Sequence, residues 1–590
     1  MSERSYWNKY WSRRRVLGAA GVGAAGAASL ALVGCGDDDN GGGPSLSQLA
    51  TPTPAAAATV NPFAGATPGG TLRGAITGEV PTIDPYGNVS FQTKTMSAYV
   101  YSRLFKYKTG LDILRADVRP TGDLAQSAEK TPDGLKWTIK LRPGVKFHNV
   151  APVNGRAVTS DDVKFSWGRL TDAKNAARAQ VEFVDKVEYP DASTIVFTLK
   201  QPWGPFLDSM ADTNLLYIMP VEADGRFNPA TNMIGSGPWL FNGYTPSKGY
   251  KMNKNPEWYE KGYPLMDSVD IAIIPDNANR LAQLYAGSLD YLAVPASDLL
   301  DVKKTVKDVQ IASYLGQGLN FLWFDGQDPN APYVKDERIR QAMSMAADRD
   351  ALNDLAYNTK QLKAAGIKVN EKWNNIIGNG WGRWSLDPKD PKMGAAGKFW
   401  EYNPAEAKKL LSAAGYSDSN PFQVTYQYPA AIYGKNFDDS AQAMQNYINA
   451  LGIAKTSTDV QDYSSKYITQ TFLGNFKGVA FGLETGFPEV GNFPNRLFTD
   501  NGFNHGRVKD PVLTKFADAQ KVEGDDAKRV QLFYDAQVYH GSKLWYIPLQ
   551  IASGETWIAN QPQLRNNTGF YTLGYGAPTE SAPYFWKAKA

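Results

Sequence analysis

Strict alternation marks the clearest stretch of the chain. Leu135, Trp137, Ile139 and Leu141 are apolar, and Lys136, Thr138 and Lys140 between them are polar. That period of two predicts a strand with one dry face and one wet face. Pro132-Asp133-Gly134 before it and Pro143-Gly144 after it are turn signals. Gly70-Thr71-Leu72-Arg73 alternates in the same way and marks the start of the folded body. Elsewhere the period changes to that of helices. Thr159 and Asp162 stand at capping-box spacing, and Val163, Trp167 and Leu170 share the face that follows. Asp336 caps a helix whose Ile339, Met343 and Ala346 face inward. Asn403 reads as an N-cap, Pro404 as the first helical residue and Glu406 as the closing member of a capping box. Leu410, Leu411 and Ala414 form that helix's buried stripe, and Gly415 ends it.

The first seventy residues follow another logic. Residues 1–15 are polar and end in Ser12-Arg13-Arg14-Arg15, and Val16 to Gly34 then carries no charge. This is the order of an export signal, and the paired arginines resemble a twin-arginine leader. The apolar run is mostly Ala and Gly, weaker than a stable membrane span. Leu32-Val33-Gly34-Cys35 resembles a lipobox, which implies lipidation of Cys35 and cleavage just before it. Residues 36–69, rich in Gly, Asp, Ala, Thr and Pro, cannot bury enough apolar area to fold and read as a tether. A flexible segment of about 35 residues reaches roughly 30–35 Å.

Composition narrows the classes. The 590 residues suggest two to four structural units. The 62 Lys+Arg nearly balance the 59 Asp+Glu, and no concentrated basic face points to nucleic acid. Cys35 is the sole cysteine, so the body has neither disulfides nor thiol chemistry. His148, His505 and His540 show no metal-ligand spacing, and neither a metal nor another cofactor is expected.

A resemblance rests on an ordered set of motifs. Asp123-Leu124-Ala125, the run Asp133 to His148 and Ser160 to Ser166 open it. Gly235-Ser236-Gly237-Pro238-Trp239, Asn253 to Tyr259, Gly287-Ser288-Leu289-Asp290, Asp336 to Ala342 with Ala347-Asp348-Arg349, and Tyr402 to Leu411 continue it. Together they resemble the family 5 extracytoplasmic solute-binding proteins, the dipeptide/oligopeptide-binding type, over roughly residues 70–587. The resemblance implies an α/β, two-lobed periplasmic-binding-protein fold (type II, cluster C) with an extra third domain and an interlobe ligand cleft. Domain I would comprise 70–113, 233–327 and 547–590, domain II 114–232 and domain III 328–546. The crossovers would fall near Asn320–Asp325 and Trp545–Leu549. It further implies capture of a peptide or peptide-like solute for an ABC permease and its ATPase subunits. The protein would be a monomer held by lipid at the outer face of the cytoplasmic membrane, and not an enzyme.

Peptide-binding members pair the ligand's amino terminus with an aspartate in a Gly-Trp-rich loop. The matching stretch is Gly482-Leu483-Glu484-Thr485-Gly486-Phe487, and the aspartate position falls on Gly486. Either Glu484 or Glu489 supplies the missing carboxylate, or the ligand lacks a free amino terminus. Tyr463 stands near the family's upstream Trp, four residues before Tyr467. Trp381 and Trp384, on the Gly-rich segment 374–384, are further candidates, either as stacking platforms or as rings tucked beneath the loop. Two other classes stay open: the same fold binding an oligosaccharide or other non-peptide solute, and a secreted hydrolase, for which no GxSxG, HExxH or phosphate loop is visible.

Overall fold

The computed structural model describes residues 63–88, 90–107, 119–430, 432–484, 489–500, 504–551, 555–568 and 577–589. The leader, Cys35 and most of the tether lie outside the described residues, as do Thr485, Gly486 and Phe487.

Strand β1 (Thr71–Ile76) begins the body. The chain then builds a second sheet from β2 (Ala125–Lys130), β3 (Lys136–Leu141), helix α1 (Ser160–Thr171), β4 (Val184–Asp191) and β5 (Thr194–Leu199). The short helix α2 (Phe206–Ala211) covers it, with Phe206 stacked on Trp137 at 4.6 Å between centroids. Strands β6 (Trp239–Thr245), β7 (Gly249–Lys254) and β8 (Ser268–Ile273) return to β1. The first sheet runs β1-β8-β7-β6 with β1 and β8 parallel, and the second is antiparallel, β2-β3-β5-β4. The alternation in β3 is used as predicted: Trp137, Ile139 and Leu141 are buried while Lys136 and Lys140 are exposed.

Next come β9 (Tyr291–Val294) and β10 (Gln310–Leu315). Residues 316–318 carry the chain to β11 (Leu319–Phe324), then α3 (Glu337–Ala346), α4 (Pro404–Ala413), β12 (Phe422–Pro429), α5 (Lys435–Asn449), β13 (Ala454–Gln461) and β14 (Val479–Glu484). Helices α6 (Asn492–Phe498) and α7 (Asp526–Lys543) precede β15 (Tyr546–Ile551), and β16 (Glu555–Asn560) follows it. The five-stranded sheet runs β13-β12-β14-β11-β15, and the three-stranded sheet β9-β16-β10. The chain therefore passes twice between these two sheets, beside β11 and β15. The segments 320–325 and 545–549, where crossovers with a strand-like hinge were expected, lie almost wholly inside those strands.

Separate apolar clusters support this layout. One joins the first two sheets, one lies on each face of the five-stranded sheet, and one underlies the three-stranded sheet around Leu284, Val302 and Trp557. The helix signals resolve individually. Thr159 and Asp162 form the capping box of α1, and the buried Asp162 also takes two bonds from Arg156, at 2.6 and 2.9 Å. Asn403 caps α4 by accepting from the Glu406 backbone N–H at 3.0 Å. The capping box expected there does not close. The Asn403 N–H is spent on the Met345 carbonyl, and the Glu406 carboxylate reaches Lys409 instead.

Candidate functional site

Side-chain alternation along β14 decides which residues meet. Val479, Phe481 and Leu483 face α5, where Phe481 meets Phe437 at 5.0 Å. Ala480, Gly482 and Glu484 face the other way. Antiparallel pairing with β11 sets Leu319 opposite Glu484, Phe321 opposite Gly482 and Trp323 opposite Ala480, so these six share one surface.

Gly482 lacks a side chain for a steric reason. A Cβ there would lie 1.9 Å from the Tyr467 hydroxyl and 2.2 Å from the Trp323 ring. Both rings are fully buried across the strand. Tyr467 stacks on Tyr463 at 6.2 Å, and Tyr463 meets Tyr433 edge-on at 5.7 Å. Burial holds the Tyr467 phenol well above its usual pKa, with Tyr433 and Glu484 adding to the shift. Trp323 lies against the His505 ring at 5.2 Å.

Glu484, 1% exposed, ends the strand with a carboxylate that is already engaged. His505 Nε2 approaches Oε2 at 2.6 Å and Arg496 Nη2 at 3.3 Å. The other nitrogen of His505 faces the Phe472 carbonyl at 2.5 Å. Both ring nitrogens thus face oxygen atoms, one of Glu484 and one of the backbone. Desolvation lowers the pKa of the Arg496 guanidinium, and Glu484 opposes that shift.

Glu489, the other candidate carboxylate, is engaged as well. It accepts from Arg529 Nη2 at 2.5 Å and from the Gly491 N–H at 2.8 Å, and Arg529 also holds Gln520. Trp381 and Trp384 are buried, not exposed on their loop. Trp381 packs edge-on against Phe493 at 5.9 Å and Trp384 against Phe533 at 5.1 Å. The guanidiniums of Arg383 and Arg529 lie 4.5 and 5.0 Å from the Trp384 ring. Their loop is tied to β15 and to the outward passage at 316–318. Asn374 donates to the Leu549 carbonyl at 2.9 Å, and a Cβ at Gly380 would strike the Gly316 carbonyl.

Of the residues singled out from sequence, Tyr463, Gly482 and Glu484 gather on this surface. Leu483 belongs to the opposite face, and Thr485, Gly486 and Phe487 lie outside the described residues. Sequence reasoning missed Trp323, Arg496 and His505. His505 stands 21 positions from Glu484, and only its rarity, as one of three histidines, marked it. Among the described residues no group of three or more His, Cys, Asp or Glu is placed to hold a metal ion, and no helix is long and apolar enough to cross a membrane.

Two sheets joined by paired passages, with a polar and aromatic cluster beside them, define a binding protein of the periplasmic type. The comparisons specify it. The chain matches "Bacterial extracellular solute-binding proteins, family 5 Middle" over residues 119–505. It belongs to that family, whose members bind solutes and are not enzymes. A putative ABC transporter peptide-binding protein of Brucella ovis is 26% identical over 461 residues, 75% of this chain and 79% of that protein. The fold matches the ABC transporter substrate-binding protein CtaP of Listeria monocytogenes with a TM-score of 0.70 at 21% identity, covering 89% of this chain and 100% of that one. It also matches the oligopeptide-binding protein AppA of Bacillus subtilis in complex with a nonapeptide, with a TM-score of 0.60 at 22% identity, covering 89% and 100%.

Proposed function

We propose that this protein captures a peptide or peptide-like solute between its lobes and delivers it unchanged to an ABC permease. The observation that carries the reading is the placement of the Glu484 cluster. It ends β14 on the sheet that β11 and β15 connect to the rest of the body, where a hinge motion closes around a ligand. The ligand names printed for the Brucella and Bacillus relatives support the peptide class. Tyr463 and Glu484 form the wall on one side, and the loop bearing Trp381 and Trp384 braces it.

The same proposal covers assembly. Cys35 carries the lipid anchor after a twin-arginine leader is removed, and the tether of residues 36–69 keeps the monomeric body near its permease. The same reading divides the body into three domains, with domain III contributing β12, β13 and β14 to the five-stranded sheet. A thermal-shift screen of the full chain against a peptide library tests the reading, because a ligand that binds only the folded state raises the melting temperature. Binding peptides raise it. No shift with any peptide, together with a shift from a different solute class, contradicts the peptide assignment.

A further inference from the structure

Two turns from different lobes meet through their backbones. Residues 200–205 link β5 to α2 on the second sheet, and residues 523–525 join the helix Pro511–Val522 to α7 beside the five-stranded sheet. The Gly204 N–H donates to the Lys521 carbonyl at 2.6 Å. That carbonyl stands in the last turn of its helix, where intrahelical partners run out. Each side keeps its own core: Phe206 belongs to the cluster that joins the first two sheets, and Phe516 and Phe533 to a cluster on the five-stranded sheet. The contact extends on both sides of Gly204. A Cβ at Gly524 would lie 2.6 Å from Lys130 Nζ, at the end of β2. Burial pushes the Asp208 carboxyl up to about 6, with Arg529 and Arg383 of the facing lobe opposing that shift and Glu489 and Asp526 adding to it.

Gly204 has no local need to be glycine, because its φ lies outside the left-handed region. A Cβ built there would overlap the Glu523 carbonyl oxygen and lie 2.9 Å from the Glu523 carbonyl carbon and 3.3 Å from the Lys521 oxygen. All three atoms are backbone of the facing lobe, so no side chain can swing aside to make room. We propose that Gly204 is the seat of a closure latch: its bare Cα lets the two turns dock and share a hydrogen bond when the lobes shut, and a side chain there holds them apart. One such bond shifts an open-to-closed ratio by about fivefold, which biases the closed form without locking it. A ligand then acts on a body already tilted towards closure. The latch is made by the protein alone, so it goes beyond the capture reading and rests only on the two-lobed fold.

A distance measurement between the lobes tests it. Cys35 is the sole cysteine, so the full chain with Cys35→Ser, Lys200→Cys and Lys528→Cys carries one pair of spin labels, at exposed positions on opposite sides of the contact. Pulsed electron–electron resonance without ligand is expected to show a short-distance population in this parent. In Gly204→Ala the short-distance population, relative to the long, falls about fivefold or more. Gly168→Ala, in α1 where a Cβ meets nothing within 4 Å, keeps the parent distribution. Identical distributions for Gly204→Ala and the parent overturn the inference, as does an equal change in Gly168→Ala. Urea unfolding separates a latch from a folding role: the midpoint of Gly204→Ala is expected to stay close to the parent's. A variant that does not fold overturns the inference, because the glycine would then serve its own lobe. No peptide is added, so failure here leaves the peptide reading standing.

Discussion

Gly482 and Tyr467 are matched by contact: the phenol oxygen occupies the place where a side chain at position 482 would begin, 1.9 Å from a Cβ. Gly482→Ala forces that ring and the Trp323 ring off the strand together. The expected cost is about 2–4 kcal/mol, read as a lower midpoint in urea unfolding. An alanine variant as stable as the parent contradicts the packing described.

Arg529 and Glu489 form a bridge with side chains only 4% and 9% exposed. Removing one partner leaves the other charge buried. Arg529→Met is expected to cost about 3–5 kcal/mol, more than the double variant Arg529→Met/Glu489→Gln. The double-mutant cycle, measured by chemical unfolding, gives the coupling. A cycle with no coupling means the pair does not hold α7 to the start of α6.

Asp212 supplies a pH dependence. It is 4% exposed, and burial pushes its carboxyl up to about 7 against the opposing pull of the Asn214 N–H, Arg103 and Lys94. The unfolded chain titrates this group near 4. Between those values the folded protein holds a proton that the unfolded chain has released. Stability from this group is therefore greatest below about pH 4, falls as pH rises to about 7, and stays level above. Asp212→Asn keeps the acceptor for Asn214 and removes the slope. The difference between variant and parent is expected to grow by about 4 kcal/mol in the variant's favour across that window. A difference that does not change with pH contradicts the shift.

Asn403 caps α4 through a single bond, with no capping-box partner to share the task. Asn403→Ala is expected to lose about 1 kcal/mol, and Asn403→Asp to retain most of the stability. Both follow from thermal unfolding.

The sequence was legible where local physics decides. The alternation of β3, the capping box of α1 and the N-cap Asn403 all depend on neighbours within a few positions, and the structure uses each of them. The family motifs were legible for the same reason, as turns and caps with fixed spacing. The site was only half readable. Gly482 and Glu484 were found in the stretch that matches the family's loop and Tyr463 at the place of its upstream Trp, but their partners come from β11, α6 and the segment around His505. No local pattern announces a contact that the sheet register creates. For Trp381 and Trp384 the sequence left two readings, stacking platforms or rings tucked beneath the loop, and packing against α6 and α7 decides for the second.

The most direct test of the central claim is native mass spectrometry of the purified protein, before and after addition of a defined peptide. The account predicts a 1:1 complex that dissociates to release a peptide of unchanged mass. A protein that takes up no peptide, or that returns it cleaved, contradicts it.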